Sequence, residues 1–153
     1  MTESERWPDI AGRIEGGRHI LPVRVYYEDT DASGLVYHAS YLRFLERGRS
    51  DFLRLIGIRH DTLAAGAYGE PLLFTVRGMT VDFLRPARLD EVIEVETRPV
   101  EIAGARGTLT QTVSRGEHTL VRARVTVALV NAAGRPRRLP AELRRLLVAS
   151  QMS

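Results

Sequence analysis

The chain contains neither cysteine nor lysine, and each absence removes a class of chemistry. Without cysteine there is no thiol nucleophile, no disulfide and no thiolate metal ligand. Without lysine no Schiff base can form. No apolar run approaches the ~20 residues needed to cross a bilayer, and the first residues lack the apolar stretch of a secretory signal. These absences together predict a cytoplasmic protein without a membrane span.

The chain also lacks a large excess of charge of either sign. The 22 basic residues are all arginine, and they are scattered among 19 acidic ones for a net charge of +3. A nucleic-acid-binding protein needs a concentrated basic surface, so this class is disfavoured. The 153 residues suit one domain. Residues 1–17 mix glycine, proline and charge and are predicted to form a tail, which leaves residues 18–150 as the single domain.

Hydrophobic periodicity predicts one long helix near the start of that domain. Residues 19–29 have the apolar and aromatic composition of a strand, and an Asp/Gly-rich turn follows. From Tyr37 the period changes to that of an amphipathic helix of about nineteen residues. Gly57 is expected to end this helix as its C′ residue. Gly48 lies within the apolar stripe, which indicates that another element packs close to the backbone there.

Four strand-like segments follow, and a short C-terminal helix closes the chain. They are LLFTVRGMTVDFL, EVIEVETRPVEI, RGTLTQTVSR and HTLVRARVTVALV. Two of the connections have hairpin length, so antiparallel pairing is expected. The predicted fold class is α+β, with a curved antiparallel sheet wrapped around one long central helix. Such a fold leaves a sheet edge exposed, and we expect that edge to pair with another copy.

A contiguous motif gives this pattern a family resemblance. The segment YYEDTDASGLVYHASYLRFLERGRSDFLR, with the later VDFLRPARLDEVIEVET, resembles the hot-dog-fold acyl-CoA thioesterases over roughly residues 20–140. The most similar branch is the 4-hydroxybenzoyl-CoA thioesterase group, in particular the enzymes associated with the Tol–Pal system. The resemblance implies Asp31 and His38 as catalytic residues, with a backbone N–H near residue 38 polarising the thioester carbonyl. It also implies an acyl-CoA substrate, no cofactor apart from the substrate's own CoA, and a homodimer or homotetramer with interfacial active sites.

Thioester hydrolysis is chemically plausible for these residues. A carboxylate in the loop before a helix can act as a base on water or attack the carbonyl carbon, and the sequence does not choose between the two for Asp31. Unpaired N–H groups at the helix start can stabilise an oxyanion. Asp31 must therefore lie beside that helix end with room for a thioester. Coordinates that place this side chain in bulk solvent, or a neutral replacement that leaves the rate of cleavage unchanged, would end the hypothesis.

Simpler structural interpretations compete for several residues. Spacing alone favours His38 as a core histidine, and only the family motif reverses this. Asp29 and Glu28 are interpreted as turn or capping residues, and Ser33 as a turn residue because no G-x-S-x-G motif is present. No spacing typical of metal ligands occurs, so no metal site is predicted.

Arg49 falls inside the apolar stripe and is expected to form an ion pair with the sheet or a partner subunit; substrate contact is the second interpretation, and the absence of an acidic neighbour would favour it. Arginines in the connections could meet CoA phosphates, but none is singled out. Two alternatives to the thioesterase remain open: a module that binds acyl thioesters or a protein without turnover, and an enoyl-thioester hydratase.

Overall fold

The computed structural model describes residues 12–152, which form one six-stranded antiparallel sheet and three helices. The elements are β1 (Arg13–Glu15), β2 (Arg18–Arg24), a 3₁₀ turn (Tyr27–Asp29), α1 (His38–Leu55), α2 (His60–Ala64), β3 (Leu72–Phe83), β4 (Val92–Ala103), β5 (Arg106–Arg115), β6 (His118–Asn131) and α3 (Ala141–Ser150). The strand order across the sheet is β1-β2-β4-β5-β6-β3, so β1 and β3 are its edges. The four later strands, the hairpins and the C-terminal helix are therefore confirmed.

Two boundaries near the start of the chain differ from those predicted. β1 lies inside the segment assigned to the tail and pairs with β2; residues 1–11 of that segment lie outside the described residues. The first predicted strand ends at Arg24 instead of continuing to Asp29. The Asp29 carboxylate accepts a hydrogen bond of 2.9 Å from the Tyr26 N–H, which closes the chain into the 3₁₀ turn.

The long helix α1 begins and ends close to where its sequence indicates. It contains 18 residues, and Gly57 follows its C-cap with a φ of +96°. The Gly57 N–H donates to the Arg54 carbonyl at 3.1 Å, and the Ile58 N–H donates to the Leu53 carbonyl at 2.8 Å. These two bonds form a Schellman motif, which requires the left-handed conformation that glycine adopts without strain.

Gly48 lies where α1 approaches the sheet closely. A Cβ atom at this residue would lie 2.8 Å from Val95 Cγ1 and 3.1 Å from Thr97 Oγ1, both on β4. The close packing predicted from the glycine is therefore confirmed. Any larger side chain would push the helix away from the strand.

The helix packs across the sheet. α1 lies against β1, β2 and β4, and it also contacts Phe83 on β3 and Gln111 on β5. On β6, Val121, Val125 and Leu129 alternate inward as predicted and are fully buried. The α+β fold class, with one long helix packed on an antiparallel sheet, is confirmed. Within residues 12–152 no helix has the length and apolarity needed to cross a membrane.

Candidate active site

The loop that leads into α1 folds back on itself around Asp31. The Asp31 N–H donates to the Leu35 carbonyl at 2.8 Å, and the Gly34 N–H donates to the Asp31 carbonyl at 3.1 Å. Gly34 has a φ of +82°, which an L side chain rarely adopts, so the turn depends on glycine. The turn holds Asp31 a short distance before the first residue of the helix.

A second segment of chain fixes this loop in place. The Val36 N–H donates to the Ala87 carbonyl at 2.9 Å, and the Leu89 N–H donates to the Gly34 carbonyl at 3.0 Å. The buried Tyr41 hydroxyl of α1 accepts a bond of 2.8 Å from the Ala87 N–H. The connection between β3 and β4 is thus bonded to both the Asp31 loop and the helix, and it holds the two together.

The Asp31 carboxylate has one oxygen engaged and one available. Its Oδ1 accepts hydrogen bonds from the Ser33 hydroxyl at 2.6 Å, the Ser33 N–H at 2.9 Å and the Leu35 N–H at 3.3 Å. No residue of the described part of the chain donates to Oδ2. The Ser33 hydrogen bonds are the main cause that lowers the pKa of Asp31, and the bond from Leu35 and the charge of His38 act in the same direction. The group is therefore an anion at neutral pH.

The Asp31 side chain is exposed, so the expectation that it lies out of bulk solvent is not met within one copy of the chain. This matters because a carboxylate in free contact with solvent has no special reactivity. Its orientation is nevertheless fixed by three hydrogen bonds, and it lines a cavity of about 550 Å³ together with residues of α1 and the end of β3. We call this the Asp31 cavity.

The N-terminus of α1 opens beside the same cavity without a side-chain cap. Its N-cap residue is Tyr37, which makes no capping hydrogen bond and also lines the cavity. The Ser40 N–H is satisfied by the Tyr37 carbonyl at 2.9 Å, whereas the N–H groups of His38 and Ala39 have no acceptor within the described residues. Free N–H groups at the positive end of a helix dipole attract a developing negative charge.

The His38 side chain is exposed and lies against the end of β3. Its ring centroid is 4.9 Å from that of Phe83, and both rings line the Asp31 cavity. The alternative of a core histidine is therefore wrong. Asp31 and His38 share one cavity, close enough for the histidine to influence the carboxylate's pKa.

Phe83, Tyr41 and Arg85 also line this cavity, and sequence reasoning did not assign them to the site. Arg85 Nη1 donates to His118 Nδ1 over 2.6 Å. Phe83 and Arg85 lie more than forty residues after His38 in the chain. Both belong to the later motif VDFLRPARLDEVIEVET, but only the strand order brings them to the helix start, so the sequence did not assign them to one site with His38.

Comparison with known proteins places this chain in a family. A model of the "Thioesterase superfamily" matches residues 33–122, which is more than half of the chain. The chain belongs to this thioesterase superfamily. The resemblance inferred from the Asp31 motif is therefore confirmed.

Relatives of this thioesterase-family chain agree with that assignment. It is 44% identical over 121 residues to the acyl-CoA thioester hydrolase YbgC of Escherichia coli, a match that covers 78% of this chain and 87% of the relative. A crystal structure of a probable thioesterase from Bartonella henselae is 50% identical, with a TM-score of 0.78 over 80% of this chain and 99% of that one. A structure of 4-hydroxybenzoyl-CoA thioesterase bound to 4-hydroxybenzoyl-CoA has a TM-score of 0.76 over 86% of this chain and 99% of that chain; at 19% identity it shows the fold alone.

Two of the residues interpreted as turn residues have that role. The buried Asp29 closes the 3₁₀ turn, and the Ser33 hydroxyl is engaged with Asp31. Glu28 forms no hydrogen bond with any residue between 12 and 152. Within the same range no three His, Asp or Glu side chains converge in a way that could hold a metal ion.

The expected ion pair of Arg49 is absent from the described residues. The guanidinium instead donates from Nη1 to the Gln111 Oε1 at 3.0 Å. The predicted link between helix and sheet exists, but its acceptor is a neutral amide. The physical reason is that β5 presents Gln111, not an acid, where the buried face of the helix meets the sheet.

Proposed function

We propose that this protein hydrolyses acyl-CoA thioesters to a carboxylic acid and free CoA. Its family membership and the acyl-CoA hydrolase relatives support this reaction. One observation carries the assignment of the site: an ionised carboxylate with a free oxygen shares a cavity with an uncapped helix N-terminus. The first group can begin the reaction and the second can stabilise its charge.

In this proposal Asp31 acts through Oδ2. As a base, it takes a proton from water while the hydroxide oxygen bonds to the carbonyl carbon and the C–S bond breaks. As a nucleophile, Oδ2 itself bonds to the carbonyl carbon and expels the thiolate; water then cleaves the mixed anhydride. Both routes give acid and thiol from thioester and water, and neither requires a cofactor.

The N–H groups of His38 and Ala39 form the proposed oxyanion site. Removal of one such donor typically slows catalysis about 10²–10³-fold in other enzymes, so a helix end of this kind is chemically significant. The His38 side chain, adjacent to the same cavity, is proposed to orient water or to protonate the leaving thiolate.

A second copy of the chain is proposed to cover the exposed Asp31. The edge strand β3 has twelve residues and carries exposed apolar side chains, with Leu73 at 48%, Val76 at 44% and Phe83 at 45% of full exposure. Long apolar edges of this kind pair readily with another strand. Phe83 lies both on this edge and in the Asp31 cavity, so a pairing partner would also close the site.

Sedimentation velocity tests the pairing. We expect the wild type to be a dimer or tetramer, and Val76→Lys on β3 to shift it to monomer with reduced hydrolysis. Val100→Lys is the matched control because Val100 is also 47% exposed but lies on β4, inside the sheet order. A wild-type monomer with full activity would contradict the dimer.

The activity itself is tested by thiol release from short, aromatic and long acyl-CoA esters. We expect release from at least one class, with short and aromatic acyl groups faster than palmitoyl. Hydration of an enoyl-CoA without thiol release would favour the hydratase alternative, and tight binding of every ester without any release would favour the non-catalytic module. The cytoplasmic location remains a prediction from the sequence.

A further inference from the structure

A second cavity, of about 450 Å³, lies away from the Asp31 cavity. It is formed by the C-terminal half of α1 together with parts of β3, β4, β5 and β6, and neither Asp31 nor His38 lines it. Arg49, which does line it, follows His38 by eleven residues, or about 16 Å along the helix axis. The volume is within the range of about 300–1,000 Å³ that small-molecule sites occupy. We call this the Arg49 cavity.

The Arg49 guanidinium is held at the wall of this cavity. Its Nη1 donates to Gln111 Oε1, and the Gln111 amide nitrogen donates to the Leu45 carbonyl and to Thr97 Oγ1, each at 2.9 Å. These bonds fix both ends of the buried Gln111 amide. The amide therefore gives Arg49 one fixed acceptor and uses only one of its five N–H donors.

Arg49 carries a half-buried charge without an ion-pair partner. No carboxylate of residues 12–152 approaches the guanidinium within 4.0 Å. Burial lowers the pKa of Arg49, which shows the cost of its charge in this location, while the field of Glu46 partly offsets it. An anion bound in the cavity would offset that cost directly, because it could accept two hydrogen bonds from the guanidinium.

Three other ionisable residues line the cavity: Glu46, Glu101 and His60. All three are exposed, so their charges are screened by solvent and ions more strongly than the charge of Arg49. Glu46 lies one helical turn before Arg49 and competes with any incoming anion. Its removal is therefore expected to strengthen binding of that anion.

The other lining residues determine what the uncharged part of a ligand can be. It is mostly apolar, with contributions from Phe52, Phe74, Ile102, Leu109 and Val127. A hydrocarbon chain or ring can be buried there, whereas a hydrated polyphosphate cannot. Arginine binds carboxylates with two parallel hydrogen bonds. A carboxylate attached to a hydrocarbon therefore fits both the arginine and the apolar wall.

We propose that the Arg49 cavity binds an amphipathic carboxylate, with the acid group on the Arg49 guanidinium and the hydrocarbon against the apolar wall. Two sources share this chemistry: a free carboxylic acid of the kind that the proposed hydrolysis releases, and the distal carboxylate of a dicarboxylic acyl thioester. The site itself does not depend on Asp31, so its test is separate from that of the proposed function.

Isothermal titration calorimetry of the full chain with decanoate, decanol and decylamine tests the site. We expect saturable binding of decanoate, about tenfold tighter than binding of decanol, because the charged hydrogen bonds are made only by the acid. Decylamine should bind more weakly than decanoate, since its ammonium is repelled by Arg49. Absence of decanoate binding, or equal affinity for decanol, would overturn the proposal.

Variants on the same helix identify the group responsible. Arg49→Gln should weaken decanoate binding about tenfold. Glu46→Gln should strengthen it, and because Glu46 is exposed this variant is expected to fold normally. Arg43→Gln is the matched control, because Arg43 is an exposed arginine of α1 that does not line the cavity. Unchanged affinity in both Arg49→Gln and Glu46→Gln would refute the site.

Two further measurements separate the sources and the two proposals. If the ligand is the distal carboxylate of a substrate, Arg49→Gln lowers kcat/KM for a dicarboxylic mono-thioester but not for its monocarboxylic counterpart. If the ligand is the free acid, Arg49→Gln changes kcat/KM for both substrates by the same factor, and the wild type still binds decanoate. Asp31→Asn should keep wild-type affinity for decanoate. Retained hydrolysis in that variant would remove Asp31 from the proposed mechanism, whereas absence of thiol release by the wild type would overturn the proposed function. Neither result would affect the Arg49 cavity.

Discussion

The two ends of α1 are built in opposite ways. At the N-terminal end, the side chains of Asp31 and His38 are exposed, two N–H groups find no acceptor among residues 12–152, and the loop is held by backbone hydrogen bonds. Towards the C-terminal end, Gly48 touches the sheet and the buried His19 Nε2 lies 2.7 Å from the Asp51 carboxylate. One end leaves backbone N–H groups open beside a cavity, and the other is packed closely against the sheet.

This difference indicates that the two ends of α1 have different roles. Tight packing at Gly48 and around Asp51 fixes the helix against the sheet, and a fixed helix keeps its free N–H groups in a constant place. Preorganised donors of this kind need no rearrangement when charge develops. Changes at the open end should therefore alter catalysis, and changes at the packed end should alter stability.

Replacement of Asp31 should give the largest effect on catalysis. Asp31→Asn removes the anion that starts the proposed reaction, and we expect a fall in kcat of about 10²–10⁴-fold with little change in the melting temperature. The measurement is steady-state thiol release. Asp61→Asn is the matched control, because Asp61 is also an exposed aspartate that accepts hydrogen bonds next to a helix start but lies in α2, outside the Asp31 cavity.

Gly48→Ala should give the largest effect on stability. The new methyl group would meet Val95 Cγ1 at 2.8 Å, and relief of this overlap should cost about 1–3 kcal/mol of unfolding free energy. Urea unfolding measures it. Gly78→Ala serves as the comparison, since a Cβ there meets nothing within 4 Å. Equal stability of the two variants would show that the helix is not packed as tightly as described.

His38→Gln should have a smaller effect on turnover than Asp31→Asn. Glutamine can still form a hydrogen bond but cannot carry a proton to the leaving thiolate, and we expect a loss of about tenfold in kcat. The loss should shrink for thioesters whose thiols are more acidic, because these leave without protonation. A loss that is the same for all leaving groups would assign His38 a positioning role instead.

The His19–Asp51 pair should give the smallest effect, seen as a pH dependence of stability. Burial lowers the pKa of His19 below its ordinary value of 6.5, although the Asp51 hydrogen bond opposes this shift. The unfolded chain therefore binds the proton more readily, and stability should fall as pH drops from about 6.5 to the lowered pKa of the folded state. His19→Gln should flatten this part of the curve, whereas the exposed His60→Gln should not.

Prediction from the sequence succeeded where a local pattern was enough. The apolar stripe of α1, the glycine after its end and the close approach at Gly48 each depend on a few neighbouring residues. The prediction for the start of the chain was wrong because no such local pattern marks its elements. β1 is too short to carry a period, and the turn after Arg24 depends on a buried carboxylate that its composition does not reveal.

The residues of the candidate site show the same difference between local and non-local information. Asp31 and His38 could be proposed because they belong to one contiguous motif. Phe83 and Arg85 join them only through the strand order, and the acceptor of Arg49 lies 62 residues away on β5. An ion pair was a reasonable expectation for Arg49, because a half-buried charge in an apolar stripe needs compensation; a fixed neutral amide supplies part of it instead.

A crystal structure with a non-hydrolysable acyl-CoA analogue, in which a ketone replaces the thioester, would test the catalytic geometry most directly. We predict that the ketone oxygen accepts hydrogen bonds of about 2.7–3.1 Å from the N–H groups at the start of α1, with its carbon facing Asp31 Oδ2. A ketone bound away from the helix start, with Asp31 still turned to solvent, would contradict the mechanism.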